Sequence, residues 1–523
     1  MRGVFRALVS RSCRLTVAVL AALPLGLPAP ALAQDSQDPR EVFGPRFERT
    51  RERERGERRP SERRDAAMEW LLHWNTIAID ASGLDHTPPA EGEDRAFRQQ
   101  LGPGRASRAM AIVHIAVYDA LVAIEGGYES YTGLRRASGD PSVRAAIAQA
   151  AHDTLVALFP AQAASFDAAL AEDLAAVRDR RAKAEGVRLG QRAAQAILSR
   201  RAADGAQHEE PSMGGDYVPG EAPGEWRQDP ISLIPLALGA HWGEVEPFVL
   251  ASADQFRAPA PPALTSAEYA AAYNEALALG GDGVVDGTPT VRSEDQTQAG
   301  IYWAYDGTPS LCAPPRLYNQ IAVLIARQQG SGLMETARLL ALVNVAMADA
   351  GIAIWESKYH YGYWRPVTGI RESDPGTGPS GLGDGNADTP GDPTFSPLGA
   401  PASNLVSVNF TPPFPAYPSG HAGFGGALFQ TLRRFYGTDA IPFTFVSDEF
   451  NGVTQDNQGN VRPLLPRSFT SLSQAEEENG QSRIYLGIHW SFDKTEGIAQ
   501  GRRVADYVFE NAFEPVRRRP GRR

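Results

Sequence analysis

A chain of 523 residues that is 42% hydrophobic and 22% charged can bury a large core, and its length alone suggests two or three domains. Its formal net charge of −11 argues against the basic face that nucleic-acid binding needs. Any anion site must therefore be a local cluster of cations.

The N-terminus reads as an export signal. Arg2, Arg6, Arg11 and Arg14 precede the apolar run LTVAVLAALPLGLP, and ALA at 31–33 offers a small-x-small cleavage site. Pro24 and Pro28 break the run, which argues against a permanent anchor. Residues 1–33 are thus expected to be removed, leaving a secreted or periplasmic protein. No later stretch reads as the ~18 apolar residues of a spanning helix, so no membrane span is expected in the mature chain. Cys13 lies in the signal and leaves Cys312 alone, so no intrachain disulfide is expected and Cys312 reads as buried and structural. Residues 34–65 are rich in Arg and Glu; such a run cannot bury enough apolar surface to offset its ordering entropy, and a disordered tether is expected.

Helical periodicity begins at AAMEWLLHWNTIAIDA and continues in SRAMAIVHIAVYDALVAIEG, where Met110, Val113, Val117, Leu121 and Ile124 recur at steps of three and four. Residues 203–264 are rich in Gly and Pro and read as an ordered surface excursion. Helices resume at SAEYAAAYNEALALGG, with Ser266 as cap, and at PRLYNQIAVLIARQQG. LMETARLLALVNVAMADAGIAIWESKYHYGYW reads as one long helix stopping before Pro366. In the loop 373–402, Asp384, Asn386 and Asp388 have calcium-loop spacing. Thr389 and Phe395 occupy the positions where Gly and Glu are required, so turns are expected instead. Convincing strands are few. The expected fold class is all-α, with an N-terminal helical part (66–300), a C-terminal helical part (301–515) and a basic tail (516–523).

Three segments place charge in apolar helical surroundings. In KYHYGYWRP, Lys358 and Arg365 are seven apart, about two helical turns, which puts both on one face. Alone, such a pair is an ordinary solvated stripe; Trp355, Tyr359, Tyr361, Tyr363 and Trp364 around it argue otherwise. In PSGH, Ser419 is placed to cap the helix HAGFGGALFQTLRRFY, which Gly437 stops. Free N–H groups at that end favour an anion, Gly420 permits close approach, and capping leaves His421 unexplained. In SRIYLGIHWSFD, Gly487 breaks the chain, Ser491 reads as the cap of the last helix, and His489 falls in the turn between. Asp493 sits in the first turn, where a carboxylate is favourable in any case. Two guanidinium forks, an ammonium, a hydroxyl, a backbone N–H and two imidazoles together suit a tetrahedral oxyanion of high charge.

These three motifs, in this order and spacing, resemble the shared signature of the vanadium-dependent haloperoxidases and the type 2 phosphatidic-acid phosphatases. IYWAYDGTP, PPRLYNQIA and PPFPAYPSGHAGFGGALFQ look like the chloroperoxidase-like haloperoxidases, and the resemblance runs from about residue 66 to 515. It implies a helical body built around two four-helix bundles. It also implies a vanadate cofactor bonded to His489 and held by Lys358, Arg365, Ser419, Gly420 and Arg483. His421 would handle protons and Lys358 would polarise bound peroxide, with hydrogen peroxide and halide as substrates giving hypohalous acid. Phe414 and Trp355 match positions on the halide side, or else are ordinary aromatic packing. Asp306 either braces Arg483 or occupies a surface turn. Phosphate can occupy the same cage, so an acid phosphatase with a phosphohistidine at His489 is the alternative, and a non-catalytic oxyanion binder a third. The halide, any organic halogen acceptor and the oligomeric state stay open.

Overall fold

Apolar residues at steps of three and four become helices throughout the chain. The structure is a computed structural model describing residues 60–284 and 287–516. The expected signal (1–33), the tether as far as residue 59 and the basic tail from 517 onward lie outside the described residues. The first helix, α1 (Pro60–Asp85), starts six residues inside the expected tether, with proline in the first turn, where its missing N–H costs nothing.

Helices α1, α2 (Gly102–Glu125), α3 (Val143–Leu158) and α5 (Arg180–Arg200) pack as one bundle, with α4 (Ala163–Ala175) against α3. The second bundle comprises α9 (Leu333–Tyr361), α11 (Gly420–Tyr436), α12 (Leu472–Tyr485) and α13 (Ser491–Asn511). Helices α6 (Ala267–Gly280), α7 (Glu294–Tyr302), α8 (Pro314–Gln328) and the short α10 (Pro366–Arg371) pack around it. The bundles join where α2 lies along α9, and one apolar core runs unbroken from Leu71 to Phe513. Both α2 and α9 are apolar and long enough to cross a membrane, which the sequence reading did not anticipate. Their most apolar windows are each 94% buried within the protein, which makes them its core helices.

Six local expectations are settled by the backbone and its hydrogen bonds. Ser266 and Ser419 cap α6 and α11, and Gly437 ends α11 in the left-handed conformation at φ 71°. The last helix is capped by Trp490 rather than Ser491, because the Asp493 carboxylate reaches back to the Trp490 N–H at 3.0 Å. Helix α9 stops at Gly362 (φ 55°), short of Pro366, so Arg365 is not on its face. Arg365 instead precedes α10 in extended conformation, and the two-turn argument linking it to Lys358 does not hold. The calcium-like spacing is a run of turns: the Asp384 carboxylate accepts from Asn386 N and Thr389 Oγ1.

One strand pair was not expected. β1 (Phe443–Asn451) and β2 (Leu464–Phe469) form an antiparallel hairpin in which Phe443, Phe445, Ser447 and Glu449 face inward. That is a period-two pattern masked by its polar members. The excursion 203–264 is tied to the core by Asp349 on α9, whose carboxylate accepts the N–H groups of Phe248, Val249 and Leu250.

The glycines of GHAGFGG serve helix contact. A Cβ on Gly426 would meet the Ile498 carbonyl at 2.6 Å, and one on Gly501 would fall on the Gly423 carbonyl. Helices α11 and α13 therefore touch backbone to backbone. Gly501→Ala should overpack this seam and cost about 1–3 kcal/mol of stability, read from urea unfolding midpoints.

Candidate active site

The open end of the second bundle gathers the charged residues. His421 starts α11, Arg483 ends α12, and His489 lies in the turn between Gly487 (φ 69°) and α13. Lys358 is on the last turn of α9. Gly420, His421, Arg483, His489 and Asp306 form the polar floor of a cavity of about 500 Å³, beside Trp355 and Phe414. Lys358, Arg365 and Ser419 stand behind that floor. Arg365 Nη1 lies 2.9 Å from His489 Nε2, and a Cβ on Gly420 would sit 3.9 Å from Lys358 Cε and 3.2 Å from the Trp355 ring. A side chain there would press on the Trp355 ring.

Each cation is dry and partly satisfied. Lys358 Nζ donates to the carbonyls of Pro415 (2.7 Å) and Ala416 (2.9 Å), which leaves one of its three N–H groups unspent. Arg365 donates to the carbonyls of Phe414 and Ile488 and, through Nη1, to His489 Nε2, and its Nη2 has no partner among the described residues. Arg483 Nη2 is held by both oxygens of Asp306, at 2.7 and 2.9 Å, while Nε and Nη1 are unpartnered among the described residues. Asp306 is therefore no surface turn: its side chain is 4% exposed and it braces Arg483. Three buried guanidinium nitrogens without partners among the described residues, beside the backbone at Gly420, fit a multivalent oxyanion.

Burial dominates the titration. It pushes the Lys358 ammonium well below its usual value, helped by Arg365, and lowers the Arg365 guanidinium to about 9. It also drives His421, with Arg483, and His489, with Arg365, well below the ordinary imidazole value. The Asp493 carboxyl is raised by burial to about 7.

The partners fix both tautomers. Ala304 O can only accept, so His421 carries its proton on Nε2, and Nδ1 has no hydrogen-bond partner among the described residues. His489 Nδ1 is 2.7 Å from Asp493 Oδ2 and donates to it, so its lone pair is on Nε2. Trp355 and Phe414 meet edge to face at 4.9 Å between centroids, with Lys358 Nζ 5.1 Å from the Phe414 ring.

Supporting residues that the sequence did not reveal complete the frame. Tyr318 Oη and Asn479 Nδ2 both donate to the His421 carbonyl. The hairpin holds the 302–306 segment: Ser447 Oγ donates to Tyr302 O, and the buried Glu449 accepts from Tyr305 N. Ala304 and Asp306 are thereby placed. The inward alternation of β1 was the signal that could have found this brace. No cluster of three or more His, Cys, Asp or Glu suited to a metal ion occurs among the described residues. A larger cavity of about 670 Å³ adjoins the first, but Arg105 and Arg108 within it are already paired to Glu210 and Asp204.

A family model, the VCPO second helical-bundle domain, matches residues 338–518. Vanadium chloroperoxidase of Curvularia inaequalis is 32% identical over 510 residues, covering 81% of this chain and 79% of that protein. The crystal structure described as the first bacterial vanadium-dependent iodoperoxidase superposes with a TM-score of 0.64 at 23% identity, over 89% of this chain and 100% of that one. The holo form of a bacterial vanadium-dependent chloroperoxidase gives 0.57 at 17% identity, over 81% and 95%. At these identities the two superpositions speak to the fold.

An anion in the cage raises the proton affinity of Lys358, His421 and His489, all held low by burial, so its binding takes up protons and weakens as pH rises. Sulfate, which does not itself titrate there, should raise the melting temperature more at about pH 5.5 than at about pH 7.5. Lys358→Met should remove most of the shift, as differential scanning fluorimetry will show.

Proposed function

The chain belongs to the vanadium-dependent haloperoxidase family, and from that premise we propose that it oxidises halide with hydrogen peroxide to hypohalous acid at a vanadate bonded to His489. The observation that carries this reading is His489 itself. Its Nδ1 proton is committed to Asp493, which puts the lone pair on Nε2; there it accepts from Arg365 Nη1, a bond that would pass to a vanadate oxygen when Nε2 takes up the metal. When bound, vanadate supplies a Lewis acid that activates peroxide without changing its own oxidation state.

The chain's own groups do the rest. Arg365 Nη2, Arg483 Nε and Nη1, the last Lys358 N–H, the Ser419 hydroxyl and the backbone at Gly420 would hold the oxygens. His421, neutral and with Nδ1 unpartnered among the described residues, can take a proton from incoming peroxide and return it to the leaving oxygen. Asp306 keeps Arg483 from swinging away, and Asp493 keeps His489 in the ligating tautomer. Trp355 and Phe414 wall the side on which halide would approach, and their apolar faces limit competing water. The expected secretion would place this chemistry outside the cytoplasm.

The vanadate-free protein should gain halide-dependent oxidation only when orthovanadate and hydrogen peroxide are both supplied. Phosphomonoester hydrolysis inhibited by vanadate, with no halide oxidation, would overturn the reading in favour of a phosphatase using the same cage. His489→Ala should abolish activity, and Asp493→Ala should lower vanadate affinity or rate about 10–100-fold; a fully active His489→Ala enzyme would refute the ligand assignment.

A further inference from the structure

We propose that the cleft above the cage binds an aromatic organic acid as the halogen acceptor, its ring against the apolar walls and its carboxylate on Arg98. The acceptor role rests on the haloperoxidase reading; the binding site does not.

Beyond the polar floor, the cavity of about 500 Å³ is walled by apolar side chains, among them Leu101, Pro103, Leu238, Val408, Phe410 and Pro413. That volume suits a small organic ligand. Apart from Asp306, His421, Arg483 and His489 at the floor, Arg98 is the one ionisable residue among those lining it. Its guanidinium lies over the Phe97 ring at 4.9 Å and has no carboxylate partner among the described residues. A cleft whose walls are apolar and whose single outer charge is positive is complementary to an apolar body with one negative end. Val408, at 54% exposure, keeps apolar surface at the mouth, where a route for halide and peroxide alone would need none.

The walls are built before any ligand arrives. The buried Asp85 carboxylate accepts the N–H groups of Gln99 and Gln100, each at 2.8 Å, and its carbonyl accepts Arg98 N at 2.7 Å. Arg98 is thereby held at φ 63°, a left-handed conformation that costs energy for a side chain of this kind. Asp229, also buried, accepts Ser232 Oγ on one wall at 2.6 Å and Thr411 N on the other at 3.0 Å. Leu238 N donates to Pro413 O at 2.9 Å. Preorganised walls reduce the ordering cost of binding.

The chemical step is balanced. A ring carbon made electron-rich by a hydroxyl group attacks the halogen of hypohalous acid formed at the floor. The carbon–halogen bond forms and the oxygen–halogen bond breaks. The displaced hydroxide leaves with the ring proton as water.

The test uses para-hydroxyphenylpropanoate and its uncharged methyl ester. Calorimetric titration of the vanadate-free full-length protein should show saturable binding of the acid, weakened about tenfold in Arg98→Gln, with binding of the ester little changed. Val408→Asp should weaken both. Absence of saturable binding, or equal effects of Arg98→Gln on acid and ester, would overturn the site. In the second arm, the vanadate-loaded enzyme halogenates the acid in competition with taurine. A product ratio shifted toward the ring, relative to reagent hypohalous acid, supports the acceptor role, and an identical ratio overturns it. If the loaded enzyme oxidises no halide while the acid still binds, the haloperoxidase reading and the acceptor role fall together and the ligand site stands.

Discussion

Everything at the functional end of this protein follows from three cations, Lys358, Arg365 and Arg483, held out of water. Two nearby carboxylates, Asp306 and Asp493, do not balance them, and Asp493 is itself pushed up to about 7 by burial. Burying a charge costs several kcal/mol unless hydrogen bonds and counter-charge offset it. The chain offsets part of the cost with backbone carbonyls at Phe414, Pro415, Ala416 and Ile488. What those carbonyls leave unsatisfied defines the ligand: an anion with several oxygens, placed where guanidinium nitrogens have no other partner.

Carbonyls are offered most freely in this way where backbone leaves regular structure. Within a helix each already accepts an N–H from the i to i−4 ladder. That is why the cage is made of helix ends and the segments between them: the last turn of α9, the stretch 412–419, the start of α11, and the turn before α13. These ends must be held to fractions of an ångström, and the glycine seam between α11 and α13 does so by bringing two backbones into contact. Gly423 and Gly426 serve a tight crossing rather than flexibility, while Gly420 opens the backbone to the cage.

The first bundle and the hairpin act on the site at a distance. The hairpin fixes Ala304 and Asp306 through Tyr302 and Tyr305, which sets the tautomer of His421 and the orientation of Arg483. The excursion 203–264, anchored by Asp349, supplies Leu238 to the cleft and accepts the Trp355 indole N–H at its carbonyl. The chemistry of the floor and the access to it are thus controlled by different parts of the chain.

The helical class, the caps at Ser266 and Ser419, the stop at Gly437 and the residue types of an oxyanion site were legible in the sequence, because each is a local consequence of side-chain shape, hydrogen-bonding groups and spacing. Lys358 and Arg365 show where that logic ends. The seven-residue spacing marked the pair, but Gly362 breaks the helix, and a long-range contact with His489 brings Arg365 to the cage. The same holds for Asp306, ambiguous in its own sequence neighbourhood and buried by packing against Arg483, and for β1, whose inward Ser447 and Glu449 are explained only by the segment they hold. The sequence by itself determined which groups were available and how the local chain would turn. Only the tertiary structure decided which nitrogens would be dry and unpartnered, since desolvation and hydrogen-bond satisfaction depend on segments more than a hundred residues apart.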